Sequence, residues 1–299
     1  MKLTTEMRNP ATMHIDTLTT ENILQMINQQ DKKVAEVIAQ PAILTVISQM
    51  VEQIVASFKN GGRLFYIGAG TSGRLGVLDA AECVPTYGTD PEMVQGIIAG
   101  GKLAMTEAVE GAEDSLIGGK EDLIQHHLSA NDFVLGLAAS GTTPYVIGAL
   151  DYATEIGAKT GAFSCNEMAP VSQHAQYAVE AVVGPEVITG STRMKAGTAE
   201  KLFLNMISTT AMIKMGKVYG NLMVDVKPTN EKLVDRAKRI ISDATGVDYA
   251  LAAEYYEQSW HQPKVAIVMI NGGVSREVAI DALKQNDDFI AKALASLRN

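Results

Sequence analysis

Apolar residues change their spacing several times along the chain. Between residues 20 and 40, Ile23, Leu24, Ile27, Val34, Val37 and Ile38 recur at helical intervals, which predicts one amphipathic helix. Pro41 suits a first helical turn, and Ile43, Ile47, Met50, Val51, Ile54 and Phe58 form a stripe that stops at Gly61-Gly62, which predicts a second. These two helices are expected to form an N-terminal arm or cover over residues 1–60. Short apolar runs follow at 64–67, 96–99, 133–137, 161–163 and 178–183, separated by helical stretches. Strands that are apolar on both faces and alternate with helices imply a parallel sheet covered on two sides, so residues 61–225 read as a doubly wound α/β domain with right-handed crossovers. The stretch 197–215 is apolar nearly all round and predicts a buried helix. Beyond Pro228 the pattern turns charged and helical at 231–244 and 247–258, and Ser275-Arg276-Glu277 opens another helix, so 226–299 reads as a small helical bundle. The run 265–270 fits either a strand or a buried helical turn, and Pro263 favours the helix.

Composition narrows the class. The 299 residues, 46% hydrophobic and 20% charged, belong to an ordinary globular protein. A formal net charge of -9 argues against a nucleic-acid footprint, which needs clustered Lys and Arg. An acidic chain that binds a phosphorylated metabolite must use local donors, namely backbone N–H groups and helix N-termini. Cys83 and Cys165 have no paired spacing, so neither a disulfide framework nor a thiol zinc site is expected, and a cytoplasmic setting fits. The first residues are polar, without a signal-like apolar run, and no uninterrupted apolar run of about 18 residues predicts a membrane span.

Three segments carry candidate chemistry. After the first core strand comes Gly68-Ala69-Gly70-Thr71-Ser72-Gly73-Arg74, leading into a helical stretch at 75–81. Its glycines let the backbone approach an anion, the helix N-terminus points free N–H groups at it, and the Thr71 and Ser72 hydroxyls add donors. The spacing Gly68-x-Gly70-x-x-Gly73 matches a dinucleotide fingerprint, but the acidic residue about 20 positions on, Asp90, sits before Pro91 in a loop-like stretch rather than ending a second strand. A second loop, Ala139-Ser140-Gly141-Thr142-Thr143-Pro144, again joins a strand to a helix. Two such loops at the carboxyl ends of neighbouring strands converge on one crevice, although any single Ser or Thr there also suits helix capping. The third segment, residues 184–198, gathers Glu186, Ser191, Thr192, Arg193 and Lys195 at the mouth of the buried helix and is expected to touch ligand. Its charged residues could equally pair with one another.

The first loop, together with Ala81-Glu82-Cys83-Val84-Pro85-Thr86, Glu110-Gly111-Ala112-Glu113-Asp114 and residues 185–198, resembles the N-acetylmuramic acid 6-phosphate etherases over nearly the whole chain. The resemblance implies a sugar isomerase (SIS) domain with a flavodoxin-like five-stranded parallel sheet, a small C-terminal bundle like a ubiquitin-associated domain, and a homodimer. It implies conversion of N-acetylmuramic acid 6-phosphate and water into N-acetylglucosamine 6-phosphate and D-lactate, with no metal or redox cofactor. Glu82 then corresponds to the acid and Glu113 to the second catalytic residue. Gly70, Thr71, Ser72 and Gly73 of the first loop are the expected phosphosugar contacts, with Ser140, Gly141 and Thr143 of the second. Ala138 stands where the SIS pattern S-x-S-G-x-T has its first serine, and Val84 stands where some members have proline.

The chemistry accounts for two carboxylates. Breaking the ether at sugar carbon 3 needs a proton on the departing lactate oxygen, while the carbon 1 aldehyde of the opened sugar acidifies the carbon 2 proton for a base. Each positioned acid or base is worth roughly 10²–10⁴-fold. The neighbours Ala80, Ala81, Cys83 and Val84 give Glu82 an expected apolar setting that keeps it protonated, and Glu113, beside Asp114 in a loop, is the expected base. His14, His126, His127, His174 and His261 show no metal spacing, and the fourteen methionines read as core filling. A sugar-phosphate isomerase would share the fold and the proton abstraction but release no lactate. A phosphosugar-sensing regulator like the glucokinase regulatory protein would keep the crevice and act through a partner, but that protein carries two such domains.

Overall fold

The computed structural model describes residues 3–228 and 230–298, which divide into two compact units. The first comprises the chain up to residue 81 together with 92–208, and the second comprises 82–91 and the chain from 209.

The first unit is built on five parallel strands in the order β2-β1-β3-β4-β5. They are β1 (Leu64–Gly68), β2 (Val94–Ile98), β3 (Phe133–Leu137), β4 (Lys159–Ser164) and β5 (Tyr177–Glu180). In the central pair Leu64 is in register with Phe133 and Gly68 with Leu137, and every residue of both strands is buried, as their continuous apolar runs require. The helices of this part of the chain are α1 (Thr20–Ile38), α2 (Pro41–Lys59), α3 (Gly70–Tyr87), α4 (Leu116–Gln125), α5 (Pro144–Ile156) and α6 (Lys195–Lys214). On one face of the sheet Phe65, Ile67, Val134 and Ala138 pack with Val146, Ala149 and Leu150 of α5. Elsewhere in the core the Phe163 and Phe203 rings stack with centroids 4.7 Å apart. A buried polar tie runs through Asp79 of α3, which accepts from Tyr66 Oη at 2.9 Å and from Ser208 Oγ at 3.1 Å. α4 and α5 touch backbone to backbone: a Cβ on Gly148 would fall 1.8 Å from the Leu116 carbonyl oxygen.

One expectation changes at the N-terminus. Residues 1–60 are part of the first unit rather than a separate arm. Three short 3-10 turns (Thr4–Glu6, Pro10–Thr12 and Ile15–Thr17) precede α1, fastened by Thr5 N–H to Asn166 Oδ1 (3.3 Å), Asn9 Nδ2 to the Pro185 carbonyl (3.1 Å) and Thr12 Oγ1 to the Val187 carbonyl (2.9 Å). α2, with a mean hydropathy of 1.3 over an 18-residue window, is long and apolar enough by length and composition to cross a membrane, although Thr45, Ser48, Gln49, Glu52 and Gln53 interrupt its apolar run. Ile43, Ile47, Met50, Val51, Ile54 and Phe58 are nonetheless buried, and the helix packs on β1, β3 and β5, so it is a core helix.

The second unit holds α7 (Glu231–Thr245), α8 (Tyr249–Gln258), α9 (Pro263–Gly272), α10 (Arg276–Gln285) and α11 (Ile290–Ser296). Asn230, Asp248 and Ser275 cap α7, α8 and α10 with their side chains. α9 is buried from Pro263 to Met269, which makes the ambiguous 265–270 run a helix. Val224 and Val226 enter the same core, and Asp225 takes Lys264 at 2.6 Å and Lys217 at 3.2 Å. These contacts move the boundary from the expected residue 226 back to 209, and they bring the end of α3 along.

Candidate functional site

In the order β2-β1-β3-β4-β5 the chain leaves β1 and β3 in opposite directions, and an open sheet binds ligands at the carboxyl ends of such a pair. The β1 loop is shorter than the sequence suggests. α3 begins at Gly70 instead of residue 75, so Thr71, Ser72 and Gly73 form its first turn, and Pro85 lies inside the helix. Gly70 has φ +53, and the Gly73 N–H bonds the Ala69 carbonyl at 3.1 Å. A Cβ on Gly73 would stand 2.7 Å from Ile98 Cγ1 and 2.8 Å from the Gly68 oxygen, so only glycine lets the helix N-terminus sit directly on the strand ends. Ser72 is buried, whereas Thr71 is half-buried with its methyl toward Gly197.

The β3 loop is held from beneath. Asn166 Nδ2 donates to the Ser140 carbonyl at 2.9 Å, and the Val171 N–H donates to the Gly141 carbonyl at 2.9 Å. Gly141 has φ +75, and a Cβ there would meet the Ala169 methyl at 2.4 Å. Ser140 Oγ accepts from the N–H and hydroxyl of Thr142 at 3.3 and 3.1 Å. Thr143 precedes α5 without making a side-chain cap bond, so capping does not account for its hydroxyl.

A cavity of about 210 Å³ opens beside the β1 loop, lined by Ala69, Gly70, Arg74, Ala99 and the segment from Glu107 to Glu113. Arg74 fixes that acidic segment to α3 by donating to the Met105 carbonyl at 3.2 Å and the Glu107 carbonyl at 3.0 Å. Glu113 is exposed in the short turn Ala112–Asp114, with Gly111 ahead of it at φ +75. Glu82 does not line this cavity. It is exposed on α3, while Ala80 and Cys83 turn inward. Adjacent helical residues project about 100° apart, so apolar neighbours in sequence do not surround it, and the expected apolar setting is corrected.

The third segment divides. The Glu186 carboxylate, expected near ligand, is buried and closes the N-terminus of α6, accepting the Lys195 and Ala196 N–H groups at 2.9 Å each. Lys195 is also turned inward, with Nζ on the Val183 carbonyl at 2.8 Å and on Gln30 Oε1 at 3.4 Å. Burial lowers its pKa, against the opposing pull of Glu186. Both are thus structural in this chain, and neither side chain pairs with the other by a direct ion pair. Ser191 and Thr192 are half-buried, and Arg193 is exposed. Sequence reasoning missed Glu200, a wholly buried carboxyl in α6 that burial pushes up to about 7, against an opposing hydrogen-bonding effect of Ser72. Its signal was a lone acidic residue amid Ala199, Leu202 and Phe203. A larger cavity of about 500 Å³ lies in the second unit among Lys217, Asp225, Lys227 and Lys264, and none of the expected site residues lines it.

Known proteins resemble the chain both in part and throughout. Residues 46–154 match the model of the glucokinase regulatory protein N-terminal SIS domain. The N-acetylmuramic acid 6-phosphate etherase of Exiguobacterium sp. (strain ATCC BAA-1283 / AT1b) is 58% identical over 98% of this chain and 99% of its own. N-acetylmuramic acid 6-phosphate etherase 2 of Enterococcus faecalis (strain ATCC 700802 / V583) is 57% identical over 98% of each chain. The etherase of Staphylococcus aureus (strain bovine RF122 / ET3-1) is 54% identical over 97% of each. Among solved structures, a protein of E. coli CFT073 superimposes with a TM-score of 0.51 at 16% identity, covering 68% of this chain and 97% of that one, which is a likeness of fold.

Proposed function

The chain belongs to the N-acetylmuramic acid 6-phosphate etherase family, and from that premise we propose that it cleaves the D-lactyl ether of N-acetylmuramic acid 6-phosphate in the cytoplasm, with Glu82 and Glu113 as its acid–base pair. The observation that carries the reading is the shared cavity: Gly70, at a helix N-terminus suited to a phosphate, and Glu113 line one cavity beside the carboxyl ends of β1 and β2.

The phosphate lies against the Thr71–Gly73 turn and the Ser140–Thr143 loop, held by N–H groups and hydroxyls. The opened sugar then presents carbon 2 to Glu113, which removes its proton. The electron pair forms the carbon 2–carbon 3 double bond, and the carbon 3–oxygen bond breaks as an acid protonates the departing lactate. Water adds to carbon 3 of the unsaturated aldehyde, and a proton returns to carbon 2, giving N-acetylglucosamine 6-phosphate. Because Glu82 is exposed and absent from the Glu113 cavity, the acid is supplied across a homodimer, by the Glu82 of a second copy.

Incubating the protein with N-acetylmuramic acid 6-phosphate should release D-lactate, and isomerisation without lactate would refute the reading. Glu82→Ala should lose lactate release yet keep carbon 2 exchange in deuterated water, whereas Glu113→Ala should lose both. Mixing the two inactive variants tests the dimer: re-formed mixed dimers carry one intact site, restoring about a quarter of the wild-type rate. No restoration would place both groups in one chain.

A further inference from the structure

Glu200 lies in the second turn of α6, with its carboxyl fully buried and neither oxygen in a hydrogen bond among the described residues. An ionised carboxylate in that position would have little compensation for its lost hydration. The polar group that acts on it is the Ser72 hydroxyl, from the first turn of α3, which lies beside it but outside hydrogen-bond geometry. Ser72 is itself buried, and it belongs to the Thr71–Gly73 turn that the proposed function assigns to phosphate.

The other titratable neighbours are few. The Cys165 thiol, just after β4, is raised well above its ordinary value by burial, then by Glu200 and Glu186. The Glu186 oxygens are held by the Lys195 and Ala196 N–H groups. On α6 itself, Lys195 Nζ is turned to Val183 and Gln30, and Lys201 acts on Asp79. No cation is thus directed at Glu200 among these groups.

We propose that Glu200 is a positioning residue for phosphosugar binding: its neutral carboxyl donates to Ser72 Oγ and leaves the Ser72 hydroxyl proton for a phosphate oxygen, whereas its carboxylate takes that proton back and repels the phosphate. The inference rests on the reading that the Thr71–Gly73 turn holds the phosphate. Burial pushes the Glu200 carboxyl up to about 7, so both forms are populated near neutrality. A phosphate monoester loses its second proton near pH ~6, so the substrate gains charge just below the range in which the site loses its donor. The kcat/KM for lactate release should therefore rise to a plateau and decline above pH 7. A bound dianion favours neutral Glu200, so the same decline in kcat should lie at higher pH.

The test is Glu200→Gln, whose amide donates at every pH. If the ionised wild type binds poorly, its kcat/KM falls by about tenfold per pH unit, or about 100-fold two units above the inflection. The variant should match the wild type at pH 6 and lose this decline, while the rise caused by the substrate phosphate stays in both. An unchanged alkaline decline in a folded Glu200→Gln protein would overturn the proposal. Ser72→Ala gives an independent reading, since it should raise KM at pH 6 and flatten the decline; a full decline without the hydroxyl would also overturn it. Calorimetric binding of N-acetylglucosamine 6-phosphate across the same pH range separates the two ideas. If wild type releases no D-lactate but its affinity still falls above pH 7 and that of Glu200→Gln does not, the etherase reading fails and the positioning role stands. Equal pH dependence of binding in both proteins sinks the positioning role alone.

Discussion

Glu186→Ala removes the carboxylate that closes the N-terminus of α6. The side chain is 1% exposed, and its two oxygens take the Lys195 and Ala196 N–H groups at 2.9 Å. Truncation strands two donors where water has little access. A stranded buried donor costs about 1–3 kcal/mol and a lost N-terminal cap about 0.5–2 kcal/mol, and since these overlap the sum is about 3–5 kcal/mol. At roughly 2–4 °C per kcal/mol for a chain of this size, Tm should fall by about 6–20 °C. Differential scanning calorimetry at pH 7 measures the fall, and lactate release well below both transitions measures what happens to substrate. KM should stay within about threefold of wild type, because the carboxylate binds helix rather than ligand. A variant that melts with wild type while its KM rises by about 100-fold would refute this reasoning and return Glu186 to the substrate.

Glu200→Gln should also change stability with pH. The raised carboxyl contributes stability that is complete below its ordinary 4.5 and lost as pH climbs through about 7, so the variant should gain up to roughly 3 kcal/mol on wild type at pH 8.5 and lose that advantage near pH 4; parallel melting curves at the two ends would contradict it. For Asp132, burial pushes the carboxyl upward, but hydrogen bonds from Arg63 and Ser129 outweigh burial and hold it below the ordinary 3.8. Its stability is therefore present above that value and lost as pH falls below it, so Asp132→Asn should destabilise at pH 7 by about 1–3 kcal/mol in urea titrations, with the difference shrinking toward pH 2. Gly148→Ala should lower stability by about 1–3 kcal/mol because its methyl meets the Leu116 carbonyl, whereas Gly61→Ala, with φ +75 and open space around it, should cost about 1 kcal/mol, from backbone strain alone.

The sheet was legible because its strands are apolar on both faces, a pattern that few alternatives share, and the two glycine-hydroxyl loops fell at the strand ends that such a sheet dictates. Less legible was the register of burial within helices. Gly70 and Gly73 read as loop residues in the sequence, which puts the start of α3 five residues late, although Gly73 is glycine because Ile98 and the Gly68 carbonyl leave no room for a Cβ. The apolar neighbours of Glu82 in sequence do not surround it, because Ala80 and Cys83 lie on the buried side of the helix while Glu82 is exposed. Glu186 and Lys195 looked available because they are charged; their burial follows from the orphan N–H groups of α6 and the Val183 carbonyl, partners that no spacing rule reveals. The boundary at 209 depends on Val224 and Val226 joining a core formed largely by residues later in the chain, and on Asp225 pairing with Lys264.

Charge orders the crevice from one end to the other. Glu107, Glu110 and Glu113 line its cavity with one cation, Arg74, whose guanidinium is turned to the Met105 and Glu107 carbonyls. Two like charges about 4 Å apart near a protein surface repel by about 4 kcal/mol, so a phosphate dianion is driven away from this acidic lining. The hydroxyls and N–H groups of the β1 and β3 loops are neutral donors, which suits them to the proposed dianion without adding counter-cations to a chain of net charge -9. On the proposed reading, a hexose 6-phosphate held this way has its phosphate at the loops and its carbon 2–carbon 3 bond toward Glu113, the orientation that elimination requires. Arg74 sets the relation between the two ends, because it ties the carboxylate-bearing segment to the same helix whose first turn the proposed function gives to the phosphate.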